Sequence, residues 1–248
     1  MRHSSLWRRV LFLLPVLCLA ATAATAAFPW YNAGRIDPLA KIWEWLGYGE
    51  FETALGQARR LARLEPDDRE VHLILAMLLE ERGDGSLAEA EYARALARPG
   101  DRPYVLTCLG RLHLAREEWA AAADDLKKAL ALSPGLVQAE LGYAEALHGL
   151  GRRAQAAAAL RGVIQHAPAV PEAYLRLGDL LAAGGAEAKE LLALYERGVE
   201  HNPSDVDLHL RLAKVLKKLG RSANARAVYA LILSLEPANR EARKALES

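Results

Sequence analysis

Cysteine is almost missing from this chain: 248 residues hold two, Cys18 and Cys108. Cys18 lies inside an N-terminal apolar run and has no partner in a folded domain, which excludes a disulfide framework. An excess of charge of either sign is missing too. Lys plus Arg is 32 against 31 Asp plus Glu, a formal net charge of +1, so nothing in the balance favours nucleic acid, which binds strongly basic faces. The seven histidines have no short ligand spacing. There is no His-Glu-x-x-His and no Cys-x-x-Cys, so neither a metal centre nor a cofactor is expected. No Ser-His-Asp set sits in a strand–turn–helix context, and no catalytic residue is assigned.

Apolar residues are plentiful. The chain is 52% hydrophobic and 25% charged, enough to fold rather than stay disordered. Residues 1–27 read as a targeting segment. Arg2, Arg8 and Arg9 precede an apolar run from Val10 to Ala20, then small residues from Ala21 to Ala27 that include Ala24-Thr25-Ala26, a small-x-small cleavage pattern. The alternative is a retained anchor over 10–27, a stretch just long enough to span a bilayer, with Trp7, Trp30 and Tyr31 at its edges. Both readings place the arginines in the cytoplasm and the rest outside it. The expectation is therefore an exported protein, periplasmic or membrane-anchored facing the periplasm.

The dominant signal is a repeat. Ala54, Ala88, Ala122 and Ala156 stand 34 apart, as do Ala76, Gly110, Ala144 and Gly178. Pro66, Pro134, Pro168, Pro203 and Pro237 punctuate the same frame, where a ring without an N–H ends one helix before the next unit. Small residues at facing positions let two antiparallel helices approach, and leucines and tyrosines such as Leu109, Tyr92, Leu126 and Tyr195 fill between them.

This pattern resembles the tetratricopeptide repeat family, and the third unit carries it best through Leu109-Gly110, Ala122, Ala129 and Pro134. The resemblance implies an all-α, right-handed superhelical solenoid of about six helix pairs. The units are 35–68, 69–102, 103–136, 137–170, 171–205 and 206–239, after an aromatic lead-in at 28–34. A short helix over 240–248 closes the end, its charges facing water. The first unit is degenerate, with Lys41 and Ile42 in the Leu-Gly places, and the fifth has one extra residue near Gly184-Gly185.

Two local patterns invite a chemical reading and do not sustain it. Gly149-Leu150-Gly151-Arg152-Arg153-Ala154 spells a dinucleotide fingerprint, but a helix precedes it where a strand is required. Cys108 lies in an apolar helix with no histidine in a base relationship to it, and reads as a small buried filler.

By resemblance, the first helices of such a solenoid line a concave groove that takes another protein or a peptide segment. Ligands touch the second, fifth, ninth and twelfth residues of each first helix. The second and ninth places here include Tyr104, and Trp43, Met77, Arg111, Glu145, Asp179 and Lys214. The twelfth include Leu46, Leu114, His148 and Lys217. The groove should be apolar near Trp43 and Met77, mixed around Arg111, Glu145 and His148, and basic at Lys214 and Lys217. Lys and Asn at the early groove places, which clamp a chaperone's acidic tail in some members, are replaced by Leu39, Trp43, Leu73 and Met77. The reading is a non-enzymatic scaffold or adaptor outside the cytoplasm, serving a bacterial envelope, secretion or polysaccharide-export complex. A self-assembling structural protein, with homo-oligomers, is the alternative from another class. An enzyme using the groove as its site is the third.

Overall fold

The computed structural model describes residues 38–98 and 100–247. Residues 1–27, expected to be a targeting segment, the expected lead-in 28–34 and the first residues of the first repeat lie outside the described residues. Thirteen helices and no strand are found among the described residues, so the protein is all-α. They are α1 (Pro38–Gly47), α2 (Phe51–Leu64), α3 (Arg69–Arg82), α4 (Gly85–Leu96), α5 (Arg102–Ala115), α6 (Trp119–Leu132) and α7 (Val137–Gly149). The series continues with α8 (Arg153–His166), α9 (Pro171–Ala183), α10 (Ala188–His201), α11 (Val206–Lys218), α12 (Ser222–Leu235) and α13 (Arg240–Glu247). None is long and apolar enough to cross a membrane. The chain divides into two compact units, 1–75 and 76–248.

In the first unit, α1 packs on α2 around Ile42, Ala54, Leu55 and Ala58, all fully buried. Ile42 thus fills the core from a place where the family carries a small residue. Asp68 starts α3 by accepting from the backbone N–H of Glu70 (2.7 Å) and Val71 (3.1 Å), satisfying donors that a helix start leaves free. His72 is buried, and its Nε2–H donates to the Pro66 carbonyl at 2.9 Å. That bond gives it a structural role.

In the second unit, each helix packs on its neighbour in the chain, from α4 on α5 through to α13 on α12. First helices also lie beside first helices, α5 against α7 and α9 against α11. Small residues set the closeness. A Cβ on Gly110 would stand 2.5 Å from Leu126 Cγ, and one on Gly142 would stand 3.1 Å from Leu126 Cδ1. Leu126, fully buried, therefore fills against a glycine of its own repeat and a glycine of the next. Gly149 is left bare for the Trp119 ring in the same way, which gives the glycine of the false fingerprint a packing role. Asp101, Asp205 and Asn239 cap α5, α11 and α13 through bonds of 3.3, 2.8 and 3.0 Å.

The turns between the two helices of a repeat are alike. Gly83, Gly151, Gly185 and Gly220 all have φ between 73° and 90°. The third repeat places Glu117 there, at φ 57°, and it is the one described non-glycine residue with positive φ. A side chain in this region costs about 1–2 kcal/mol. Glu117→Gly should therefore raise the unfolding free energy by roughly 1 kcal/mol, some of the relief being returned as glycine entropy in the unfolded chain. Glu117→Ala keeps a Cβ and should be nearly neutral. Denaturant titration checks both, and no gain for the glycine variant would show that the turn is unstrained.

Candidate functional site

The expected groove residues sit on the first helices. Trp43 and Leu46 on α1, and Met77 on α3, are half-buried. On α1, Lys41 Nζ lies 5.6 Å from the Trp45 ring centroid, within cation–π reach. In the second unit, Arg111, His148, Asp179, Lys214 and Lys217 are exposed, while Tyr104 and Glu145 are half-buried. Leu114 is not accessible. It is 9% exposed and belongs to the core around Leu126 and Ala139, so it shapes this face from beneath rather than touching a ligand.

The charges on this face are joined into rungs between successive repeats. Glu80 on α3 faces Arg111 on α5 at 3.9 Å, and Glu145 on α7 meets Arg176 on α9 at 2.6 Å. Asp179 on α9 meets Arg211 on α11 at 2.7 Å, and Lys214 on α11 meets Glu241 on α13 at 2.9 Å. Arg176 also binds Glu172 on its own helix at 2.7 Å. The face is therefore less mixed and less basic than its residues suggest, since Glu145, Asp179 and Lys214 are engaged by neighbours. The pairs are exposed enough that each contributes little stability, on the order of 0–1 kcal/mol. Their effect is on recognition: a ligand charge must compete with a partner already in place. Lys217 and His148 have no ion-pair partner among the described residues.

Arg111 is the loosest member. Its acceptor Glu80 also receives the Tyr92 hydroxyl at 2.7 Å. Burial pushes the Tyr92 phenol far up, so it stays a donor. On the other side of Arg111, the place held by Arg176 and Arg211 in later repeats is Gly142, which offers Arg111 no charge and whose bare Cα receives Leu126.

At the other end, Leu175, Leu210, Asp207, Arg211, Lys214 and Glu241 line an open depression of about 390 Å³. Leu175 and Leu210 are half-buried and supply its apolar lining, whereas the equivalent Leu73 and Leu141 are buried. Leu175 and Leu210 hold the fifth groove places of their helices, so apolar side chains stand beside Lys214 at the end expected to be basic. Arg176 and Arg211 are not among the expected groove residues, and Glu241, expected on the capping helix to face water, instead pairs with Lys214. The signal that would have found them is opposite charge at roughly one repeat's separation, since Arg176 and Glu145 are 31 residues apart and Arg211 and Asp179 are 32 apart.

Comparisons with known proteins identify the repeat. A tetratricopeptide repeat family model matches residues 43–103 and 144–204, and a second matches 194–227. The chain belongs to the tetratricopeptide repeat family, whose members generally act as non-catalytic protein-interaction scaffolds. No curated protein sequence matches it.

Among solved structures it is similar to PilF of Pseudomonas aeruginosa, at 19% identity and TM-score 0.65, covering 84% of this chain and 94% of that one. It is also similar to PilW, a widely conserved type IV pilus biogenesis factor, at 18% identity and TM-score 0.66, covering 84% and 96%. YrrB, a repeat protein with an unusual peptide-binding site, aligns at 18% identity and TM-score 0.54, covering 77% and 98%. At these identities the likeness is one of fold.

Proposed function

We propose that this protein is a non-enzymatic scaffold that works outside the cytoplasm, holding a segment of another protein along its first-helix face within an envelope complex. The observation that carries the reading is the strip of accessible residues on the first helices α5, α7, α9 and α11, joined by packing and by the Glu145–Arg176 pair, ending in the depression beside Leu175 and Leu210. The basic n-region and apolar run at 1–20 support export. The fold likeness to PilW, a pilus biogenesis factor, supports an envelope setting. Half-buried aromatic and aliphatic groups act as anchors in such a face, and the paired charges around them select.

A photo-activatable residue placed at His148, on the first-helix face, should cross-link to a specific envelope protein in cells. The same residue at Ala158, exposed on the second helix α8, should not. Equal adducts at both places would reject the groove. A reporter fused after Ser248 should be active only outside the cytoplasm, and activity inside would reject export. Leu210→Ala, on α11 of the same unit, should weaken capture of the His148-linked partner by about thirtyfold at any salt, as expected for loss of an anchor contributing roughly 2 kcal/mol. Lys217→Ala should matter chiefly at low ionic strength.

A further inference from the structure

The turns joining the first and second helices of each repeat all fall on one edge of the second unit, because consecutive helices are antiparallel and first helices neighbour first helices. Charge on that edge is segregated. At the turns of the second and third repeats the carboxylates are Glu81, Asp84, Glu89, Glu117 and Glu118. The two arginines there are spent locally: Arg82 binds Asp84, and Arg116 binds Glu89 (2.7 Å) and Glu118 (2.9 Å). The Arg116 guanidinium holds the Glu89 carboxyl below its ordinary range, so that side chain stays ionised. Glu81 and Glu117 are exposed, with no ion-pair partner among the described residues.

At the turns of the fourth and sixth repeats the sign reverses. Arg152, Arg153, Lys217, Lys218 and Arg221 are exposed and have no ion-pair partner among the described residues. The fifth repeat's turn, between them, adds Lys189 with Glu187 and Glu190, and Glu190 is engaged by Arg161 at 3.8 Å. The opposite edge shows no such division. Its turns at 133–136 and 167–170 carry no charged residue at all. Leu87, 52% exposed, stands among the acidic turns, and Leu219 stands half-buried among the basic ones.

We propose that this edge is the contact surface for a second copy of the chain, laid antiparallel so that the acidic turns of each copy meet the basic turns of the other about a two-fold axis. A two-fold contact requires a self-complementary patch, and an edge negative at one end and positive at the other is one. A foreign acidic protein would use only the basic half, and an anionic lipid surface would be repelled by the other half. A reversed copy supplies both signs in the right order. Leu87 and Leu219 provide apolar contact within a charged border that sets register and speeds encounter.

The test uses the full-length protein in a nonionic detergent and sedimentation velocity across concentration. Wild type should form dimers at about 50 mM salt and dissociate as salt is raised toward about 500 mM, where the screening length drops to several ångströms. Lys217→Glu with Lys218→Glu should weaken association at least tenfold, and Glu81→Lys with Glu117→Lys should do the same. Glu117 lies in a turn, and Glu81, Lys217 and Lys218 are exposed in the last turns of α3 and α11; circular dichroism confirms that each variant remains folded. Mixing the two charge-reversed proteins should restore association as a heterodimer. Four results would overturn the proposal: a wild type that stays monomeric at low salt, growth past the dimer, association indifferent to reversal, or a mixture that fails to recover. Binding of reversed and wild-type proteins to anionic vesicles is run alongside. A monomer that needs Lys217 and Lys218 for vesicles would replace the second copy with a lipid surface.

Discussion

Gly110→Leu should lower the unfolding free energy by about 1–3 kcal/mol, and the loss should shrink when Leu126→Ala is present in the same chain. The first half follows from space. A Cβ at Gly110 meets Leu126 Cγ at 2.5 Å, and the whole leucine side chain would have to pass through that atom. Leu126 cannot step aside, since it is fully buried and its other face lies against Gly142 of the next repeat. The second half follows from the identity of the obstacle. Leu126→Ala alone opens a cavity and costs about 2–5 kcal/mol. In the double variant the new leucine can enter that cavity, so the two losses should fall short of adding by about 0.5–3 kcal/mol. Gly162 in the middle of α8 is the control. Nothing lies within 4 Å of a Cβ there, and Gly162→Ala should stabilise by roughly 0.5–1 kcal/mol. Denaturant unfolding of the four proteins and the control decides it. Strict additivity would mean that Gly110 and Leu126 are not the contact that sets the helix spacing.

Why the fold could be read in advance is visible in the same contact. Gly110 and Gly178 recur because a side chain there would collide with Leu126 or Tyr195, so sterics write the period into the sequence. The prolines and turn glycines recur because backbone geometry demands them, as the positive φ at Gly83, Gly151, Gly185 and Gly220 shows. Each is a local requirement met by a residue type, and residue types are what a sequence displays. Glu117 broke that rule, since its letter gave no hint of a left-handed backbone.

The binding face was less legible, and for a different reason. The positions of Arg111, Glu145, Asp179 and Lys214 follow from the repeat frame, but their availability does not. Whether Lys214 is free depends on Glu241, which arrives on the capping helix, and whether Glu145 is free depends on Arg176, 31 residues away. These pairs form only because the solenoid brings first helices side by side. Burial of Leu114 beneath the face, against an exposed place expected from its position, likewise comes from Gly142 and Leu126 of neighbouring helices. A frame assigns a residue to a place; packing decides what it can do there.

Cys108 carries the remaining expectation, and its effect is the largest. The thiol is 4% exposed on α5, and burial pushes its pKa up to about 11, the nearby Arg111 only partly opposing this. At pH 8 a thiol of that pKa is ionised about one time in a thousand, whereas an ordinary cysteine near 8.5 is ionised about one time in four. Thiolate is the reacting form, so ionisation alone slows reaction by roughly two orders of magnitude, and exclusion of the reagent slows it further. In a Cys18→Ser background, Cys108 should react with an aromatic disulfide reagent at pH 8 at least about a hundredfold more slowly in the folded protein than in denaturant. The residual rate should rise as denaturant approaches the unfolding midpoint, because access then requires opening of α5. Raising the pH toward 10 without denaturant should increase the rate by the gain in thiolate alone. Reaction at the free-cysteine rate in the native state would instead place an accessible, activated thiol inside the third repeat, and with it the chemistry that the surrounding Tyr92, Tyr104 and Arg111 now serve only to bury.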